Sequence, residues 1–139
     1  MFYAQDIIEH IEYLQINPVV EQVLYSVKIP EIKQGDVLKV STEFEATNDN
    51  AFNVMIGAKI ILADSNKKTK GELIDQANGF NVTQNMHHGV VSKSRTWKAE
   101  STYNDKYVNV VIWSLSVNAF PNDRLKIEKG YGHLDVFIN

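Results

Sequence analysis

Two adjacent histidines, His87 and His88, are the side chains best suited to bind a metal ion. Imidazole nitrogens bind zinc and other transition metals, usually together with further histidine, cysteine or carboxylate ligands. Neighbouring residues of a strand point to opposite faces, so these two histidines cannot easily share one ion. His10 or His133 would have to join one of them. We therefore predict no metal site and expect His87 or His88 to hydrogen-bond a turn.

The carboxylate and hydroxyl side chains of the sequence form no clear catalytic pattern. Glu43 and Glu45 lie on one face of a predicted strand, as a glycosidase pair would, but this is the solvated face of a half-buried sheet. No Gly-x-Ser-x-Gly motif marks a serine nucleophile. We predict that the protein is not an enzyme, with no catalytic residues, no cofactor-binding residues and no cofactor.

The segment Asn48-Asp49-Asn50 is rich in oxygen atoms and could bind calcium. Three consecutive residues rarely converge on one ion, whereas turns between strands favour this composition for their own backbone geometry. The sequence therefore favours a structural turn over a calcium site.

Aromatic side chains could hold a carbohydrate, because sugar rings stack on aromatic faces. Trp97, Trp113, Tyr103 and Tyr107 are the residues available for such a platform. Trp113 lies in a strand that is apolar on both faces, so it is expected in the core. Trp97 has basic neighbours and is the better candidate for exposure. One exposed aromatic ring does not make a platform.

Length and composition predict one globular domain. The chain has 139 residues, of which 44% are hydrophobic and 22% charged. The net charge of −3 is spread over both halves without a block of lysine or arginine, so neither nucleic acid nor a membrane is an expected partner. The chain has no cysteine, which excludes disulfides and thiolate ligands. We expect neither an export signal nor a membrane span of about 20 apolar residues.

Alternating polarity is the main structural signal. Leu38, Val40 and Phe44 alternate with charged or polar residues, which is typical of a strand with one buried face. The segment YVNVVIWSLSV at 107–117 is apolar on both faces, as in a central strand. About eight or nine strands with turns at the spacing of a sandwich follow residue 17. We predict an all-β fold, an antiparallel β-sandwich of the jelly-roll kind, over residues 17–139.

Turn signals divide this region into strands. VLKVSTEFEAT and FNVMIGAKIILA, joined by the segment at 48–50, predict a long antiparallel hairpin. Asn78-Gly79 and Asn104-Asp105 predict turns between shorter strands, and Gly130-Tyr131-Gly132 predicts a turn or a bulge. The side chains expected in the core are Phe44, Val54, Ile56, Val110, Ile112, Trp113 and Leu115.

Residues 1–16 are predicted to form an N-terminal arm. Apolar residues recur there at helical spacing, and Asp6 followed by Glu9 resembles a capping pair, which favours a short amphipathic helix. The β-branched isoleucines leave a strand as the alternative. Asn17-Pro18 ends the pattern. An apolar stripe of this size is costly to leave in water, so its residues are predicted to bind a partner. They are Tyr3, Ile7, Ile8, Ile11 and Leu14.

Four segments of the chain resemble a known class of protein. They are IPEIKQGDVLKV, FEATNDNAFNVMIGAKIILA, GELIDQANGFNVTQNMHHGVV and the closing GYGHLDVFI. Their succession of strands and turns is similar to small β-sandwich modules of tailed-phage virions, which occur as head decoration or cement proteins and as fibre or adsorption domains. The resemblance implies a non-enzymatic structural role, with copies clustered around the symmetry axes of a shell.

From this resemblance we expect a capsid decoration or cement protein that stabilises a phage head. Its partners would be the major capsid protein or other virion proteins and further copies of itself in a homo-oligomer, and its location the virion, assembled in the host cytoplasm. The alternative is a carbohydrate-binding or host-adsorption module of a fibre or tail.

Overall fold

The computed structural model describes residues 1–8, 12–13, 20–114 and 125–139, and within these ranges it contains nine β-strands. The strands are β1 (Phe2–Ile8), β2 (Glu12–Tyr13), β3 (Gln22–Ile32), β4 (Val37–Asn48), β5 (Val54–Ala63), β6 (Glu72–Val82), β7 (Met86–Lys98), β8 (Tyr103–Ser114) and β9 (Leu125–Ile138). None of the described residues forms a helix long and apolar enough to cross a membrane.

The strands form two antiparallel sheets. The five-stranded sheet has the order β1-β9-β4-β7, with β2 also paired to β9, and the four-stranded sheet has the order β3-β8-β5-β6. Every pairing is antiparallel. The predicted all-β class and antiparallel sandwich are confirmed.

The main hydrophobic core fills the space between the two sheets. Alternate residues of β4, such as Leu38, Val40 and Phe44, face alternate residues of β5 and β8. The predicted core residues Phe44, Val54, Ile56, Val110 and Ile112 are all buried in this cluster. Leu115 lies outside the described residues.

Trp113 is buried, as predicted, but it belongs to a second and smaller cluster with Ile61, Ala63 and Val111. These residues alternate with the ones that face the main core, so they lie on the outer side of the four-stranded sheet. The indole lies over Gly57, where a Cβ atom would overlap Trp113 Cε2. Glycine at position 57 is therefore what allows the ring to lie against the strand.

The predicted N-terminal helix is wrong for residues 2–8. These residues form β1, which pairs with β9 from Phe2 opposite Ile138 to Ile8 opposite Gly132. The strand alternative prevails because β9 offers a row of backbone partners, whereas a helix of this length is only marginally stable in water. Asp6 Oδ2 also accepts a hydrogen bond from the Ser26 backbone N–H at 2.8 Å, which attaches β1 to an edge strand of the other sheet.

The division between an arm at 1–16 and a sandwich at 17–139 falls on residues that are not described, and it stays a prediction.

The predicted hairpin of β4 and β5 is also wrong. β4 pairs with β7 and β9 in the five-stranded sheet, and β5 pairs with β6 and β8 in the other sheet. The polar segment between them crosses from sheet to sheet and is held by the fully buried Asn48. Its Nδ2 donates to the carbonyls of Phe52 and Val82 at 3.0 Å each, and its Oδ1 accepts from the Asn50 backbone N–H, also at 3.0 Å.

Two of the predicted turns lie inside strands. Asn78-Gly79 falls within β6 and Asn104-Asp105 within β8, where Asp105 adopts a left-handed φ of 53°. The predicted glycine-rich irregularity at 130–132 is a bulge in the continuous strand β9, because Glu43 pairs with His133 while Glu45 pairs with Glu128. At Gly132 a Cβ atom would overlap Tyr25 Oη, so glycine leaves room for this buried tyrosine from the other sheet.

The contact between Asp6 and Ser26 gives a test of how firmly β1 belongs to the sandwich. Asp6→Ala removes the acceptor for a partly buried N–H, so we expect the free energy of unfolding to fall by about 1–3 kcal/mol. Asp6→Asn keeps an acceptor oxygen and should cost less. Urea unfolding of the three proteins measures both values. Equal stability of Asp6→Ala and the parent protein would contradict the attachment.

The close approach of Gly57 and Trp113 gives a second test. Gly57→Ala should destabilise the fold by about 1–3 kcal/mol, because its Cβ has no room beneath the indole. Trp113→Ala should cost about 3–5 kcal/mol through lost burial and the remaining cavity. In the Trp113→Ala background the alanine at position 57 should be nearly neutral, because the two sites are coupled. Additive losses in a double-mutant cycle would show that the contact is not formed.

Candidate interaction surface

The outward side of the five-stranded sheet places side chains from four strands in register. Because every second residue of a strand points to the same side, residues that pair across β1, β9, β4 and β7 form rows on one surface. We call this surface the outer face. Its three rows are Tyr3, Phe137, Lys39 and Thr96, then Gln5, Asp135, Ser41 and Ser94, then Ile7, His133, Glu43 and Ser92.

The β1 side of the outer face carries large apolar groups that are open to solvent. Tyr3 is 50% exposed, Phe137 42% and Ile7 53%. The rings of Tyr3 and Phe137 are neighbours, with centroids 4.4 Å apart and planes tilted by 30°. Clustered exposed aromatic and aliphatic side chains of this kind often mark an interaction site.

Asp135 fixes the position of the residues around it. Its Oδ1 accepts hydrogen bonds from Tyr3 Oη at 3.0 Å and from Gln5 Nε2 at 2.8 Å, and its Oδ2 lies 3.4 Å from His133 Nε2. The hydrogen bond to Asp135 raises the pKa of the Tyr3 hydroxyl, with smaller contributions from desolvation and from the carboxylate charge. This hydrogen bond favours one orientation of the tyrosine side chain.

Beside the aromatic pair the outer face has an open groove of about 640 Å³. Phe137 borders the groove together with Lys39, Ser41, Ser94 and Thr96. An aromatic edge next to hydroxyl groups and an amine can contact a polar ligand or the polar rim of a protein interface.

The predicted partner-binding residues are only partly brought together. Tyr3 and Ile7 lie on the outer face, four positions apart on one strand, although helical spacing is the basis of their prediction. Ile8 ends β1 opposite Gly132. Ile11 and Leu14 lie outside the described residues. Partner binding by this set stays a prediction.

Phe137 and Asp135 are absent from the predicted site. The alternation of Leu134, Val136 and Ile138 with the residues between them marks Asp135 and Phe137 as outward-facing. Their contacts with Tyr3 depend on the pairing of the first described strand with the last, which no local pattern reveals.

The histidine pair lies in an irregular part of β7. The register with β4 shifts there, the His88 backbone N–H donates to Thr47 Oγ1, and His88 has a left-handed φ of 56°. His87 Nε2 lies 2.9 Å from Asp49 Oδ1, and His88 Nδ1 lies 3.0 Å from Glu45 Oε2. The two histidines thus contact different carboxylates, and across the described part of the chain no three metal-binding side chains come together. His10 lies outside that part.

Glu43 and Glu45 lie two positions apart on the outward side of β4, as predicted, but they have different neighbours. Glu45 contacts His88, whereas Glu43 faces His133 in the third row of the outer face. The oxygen of the Asn48 side chain is occupied by the Asn50 backbone, as expected of a structural turn.

The four aromatic residues do not form one platform. Trp97 is partly buried against the main core, 6.2 Å from Tyr103 between ring centroids, while Trp113 lies on the outer side of the other sheet. The Tyr103 hydroxyl hydrogen-bonds Glu72, and this bond raises the pKa of Tyr103. The expected exposure of Trp97 is therefore corrected to partial burial, because its strand turns this ring toward the core.

No protein-family model matches the sequence, and no curated protein matches it. Solved structures do match the fold. The VP2 subviral particle of infectious bursal disease virus has a TM-score of 0.62 at 12% identity over 97% of this chain. The T13 particle of this virus has a TM-score of 0.59 at 14% identity over 96% of the chain, and T=1 particles derived from the virus have 0.55 at 15% over 97%.

This chain spans about a third of the length of those particle chains, 31% in the first and 30% in the other two. At these identities the similarity shows a shared fold. The sandwich described above is thus similar in fold to one part of those particle chains.

The histidine geometry gives a test of the prediction that no metal is bound. We expect the melting temperature to stay unchanged after dialysis against a chelator, because the two histidines contact different carboxylates. Elemental analysis of freshly purified protein measures bound zinc or nickel. A stoichiometric metal that disappears in His87→Ala but remains in the His133→Ala control would contradict the prediction.

Proposed function

We propose that this chain is a non-enzymatic structural protein of a virus particle and that it binds other virion proteins through the outer face. The observation that carries the proposal is the fold: nearly the whole chain superposes on one part of a protein from icosahedral virus particles. A domain that repeats in a closed shell has to meet its neighbours through fixed surfaces, and a rigid sheet supplies such a surface.

The outer face is the surface best suited to this role. Tyr3, Phe137 and Ile7 expose apolar area on neighbouring strands. Burying apolar surface against a partner gains about 25 cal/mol per Å², and aromatic residues held in place in the free protein lose little entropy on binding. The bonds of Asp135 to Tyr3 and Gln5 provide this order.

The narrower form of the proposal is a decoration or cement protein of a phage head. Its partners are the major capsid protein or other virion proteins and further copies of this chain, and it is assembled with the virion in the host cytoplasm. The support for the phage setting is the sequence resemblance alone. In this form residues 1–16 act in binding, with Tyr3 and Ile7 as the part of that segment on the outer face.

A second candidate is a carbohydrate-binding or host-adsorption module. The groove favours it, because Phe137 offers a ring for stacking beside Ser41, Ser94 and Thr96, whose hydroxyls can bind sugar oxygens. The two proposed functions use overlapping residues of the outer face, but the binding partner is a protein in the first and a carbohydrate in the second.

The experiment that tests the proposal is mass spectrometry of virus particles purified from the source of this sequence. We expect peptides of the chain in a fixed ratio to the major shell protein. Absence of the chain from particles of full infectivity would overturn the virion role. Glycan-array binding that is lost in Phe137→Ser, in a chain absent from the shell, would favour the second candidate.

A matched pair of variants tests the surface. Ile7→Lys places a charge in the exposed apolar area and should weaken self-association or particle binding by about tenfold or more. Leu73→Lys is the control, because Leu73 is 51% exposed but lies on the four-stranded sheet. Light scattering measures the self-association of the two variants, and co-sedimentation with particles that lack the protein measures their particle binding. Equal binding by the two variants would move the interface away from the outer face.

A further inference from the structure

Lys93 links the two sheets at their β6 and β7 edges. It extends from β7 in the five-stranded sheet to β6 in the four-stranded sheet, and its side chain is only 5% exposed. Its Nζ lies 2.6 Å from Asn78 Oδ1, 2.9 Å from Asp75 Oδ2 and 2.9 Å from the Gln76 carbonyl oxygen. A buried amine, a carboxamide and a carboxylate therefore meet at one point.

These three groups are the components of an amide-forming reaction. A primary amine can displace ammonia from a carboxamide when the amine is held against the carbonyl and a nearby acid–base group moves the protons. We propose that Lys93 and Asn78 form an intramolecular isopeptide bond, with Asp75 as the proton carrier. This inference does not depend on the proposed function.

The step balances without any further reagent. Asp75 accepts a proton from the Lys93 ammonium, and the free amine attacks Cγ of Asn78. The protonated Asp75 then gives its proton to the departing amide nitrogen, and the C–N bond to that nitrogen breaks. The products are a secondary amide between Lys93 and Asn78, the Asp75 carboxylate, and ammonia, which carries away the remaining proton of the lysine as ammonium.

The fold holds the reacting groups in place. Lys93 pairs with Thr42 in the middle of the β4–β7 ladder, so its backbone is fixed within the five-stranded sheet. Asn78 pairs with Ala58 on β5 and is exposed on its other side, which leaves ammonia a route into solvent. Fixing two reactants in contact replaces a bimolecular encounter with an intramolecular one, which favours the reaction even where the groups are weakly reactive.

The bond would join the two sheets covalently at an end where, among the described strands, β6 and β7 each have a neighbour on one side only. Edge strands are the parts of a sheet that separate most easily. An isopeptide between residues 78 and 93 would keep these two edges together under heat, denaturant or mechanical load.

Intact-mass spectrometry of the purified protein tests the proposal directly. We expect a mass about 17 Da below that of the sequence, the mass of the ammonia released. Trypsin cannot cleave after a lysine whose amine is in an amide, so the digest should contain a cross-linked peptide 71–95 in place of peptide 71–93. A full-length mass equal to that of the sequence would overturn the proposal.

A second reaction at the same residue loses the same ammonia and has to be distinguished. Asn78 precedes Gly79, a pair that can cyclise to a succinimide without involving lysine. In that case trypsin still cleaves after Lys93, and peptide 71–93 carries the mass deficit. This result would also overturn the proposal.

Variants separate the roles of the three groups. Lys93→Arg keeps the positive charge but cannot react, and Asp75→Asn keeps the shape but cannot accept a proton, so both should have the full mass. Lys98→Arg, on the same strand and exposed, is the control and should keep the deficit. Circular dichroism verifies that each variant is folded. A deficit that persists in folded Lys93→Arg would exclude the lysine.

Discussion

The repeated passage of the chain from one sheet to the other is the constraint on which the rest of this structure depends. Of the described strands that follow one another directly in sequence, β5 and β6 are the pair that form a ladder together. The next described strand along the chain lies in the opposite sheet for each of β3, β4, β6, β7 and β8. Apart from β5 and β6, hydrogen-bonded strands are thus far apart in sequence, and β1 pairs with β9. The sheets can form only after distant segments meet, so burial of the common core, rather than local turns, has to select the pairing.

This constraint explains which parts of the fold could be predicted. Alternation in Leu38, Val40 and Phe44 depends only on one face being buried, so the strand and its inward residues are visible in the sequence. The partner of that strand is not visible. A polar segment such as 48–50 is equally suited to a hairpin and to a crossing between sheets, and only the buried bonds of Asn48 to Phe52 and Val82 distinguish the two.

The same reasoning applies to the candidate surface. Tyr3 and Ile7 can be selected as candidates from the sequence because exposed apolar side chains are costly in water, which holds for a helix and for a strand alike. A spacing of four residues places two side chains on one side of either element, so it cannot decide between them. Phe137 cannot be found in this way, because its significance arises only from the ring of Tyr3 beside it, which lies more than a hundred residues away in sequence.

Polar and apolar groups are arranged differently in the interior of the sandwich and on its outer face. Between the sheets, polar groups that cross the core are paired inside the protein, as Asn48 and Lys93 are. On the outer face, by contrast, Asp135 orients Tyr3 without covering it, and the ring stays half exposed. Phe137 stands on β9, which has a neighbour on both sides, and Tyr3 stands on the strand paired with it. An aromatic side chain that is already hydrogen-bonded in the free protein loses less conformational freedom when its exposed area is covered than an unattached one does.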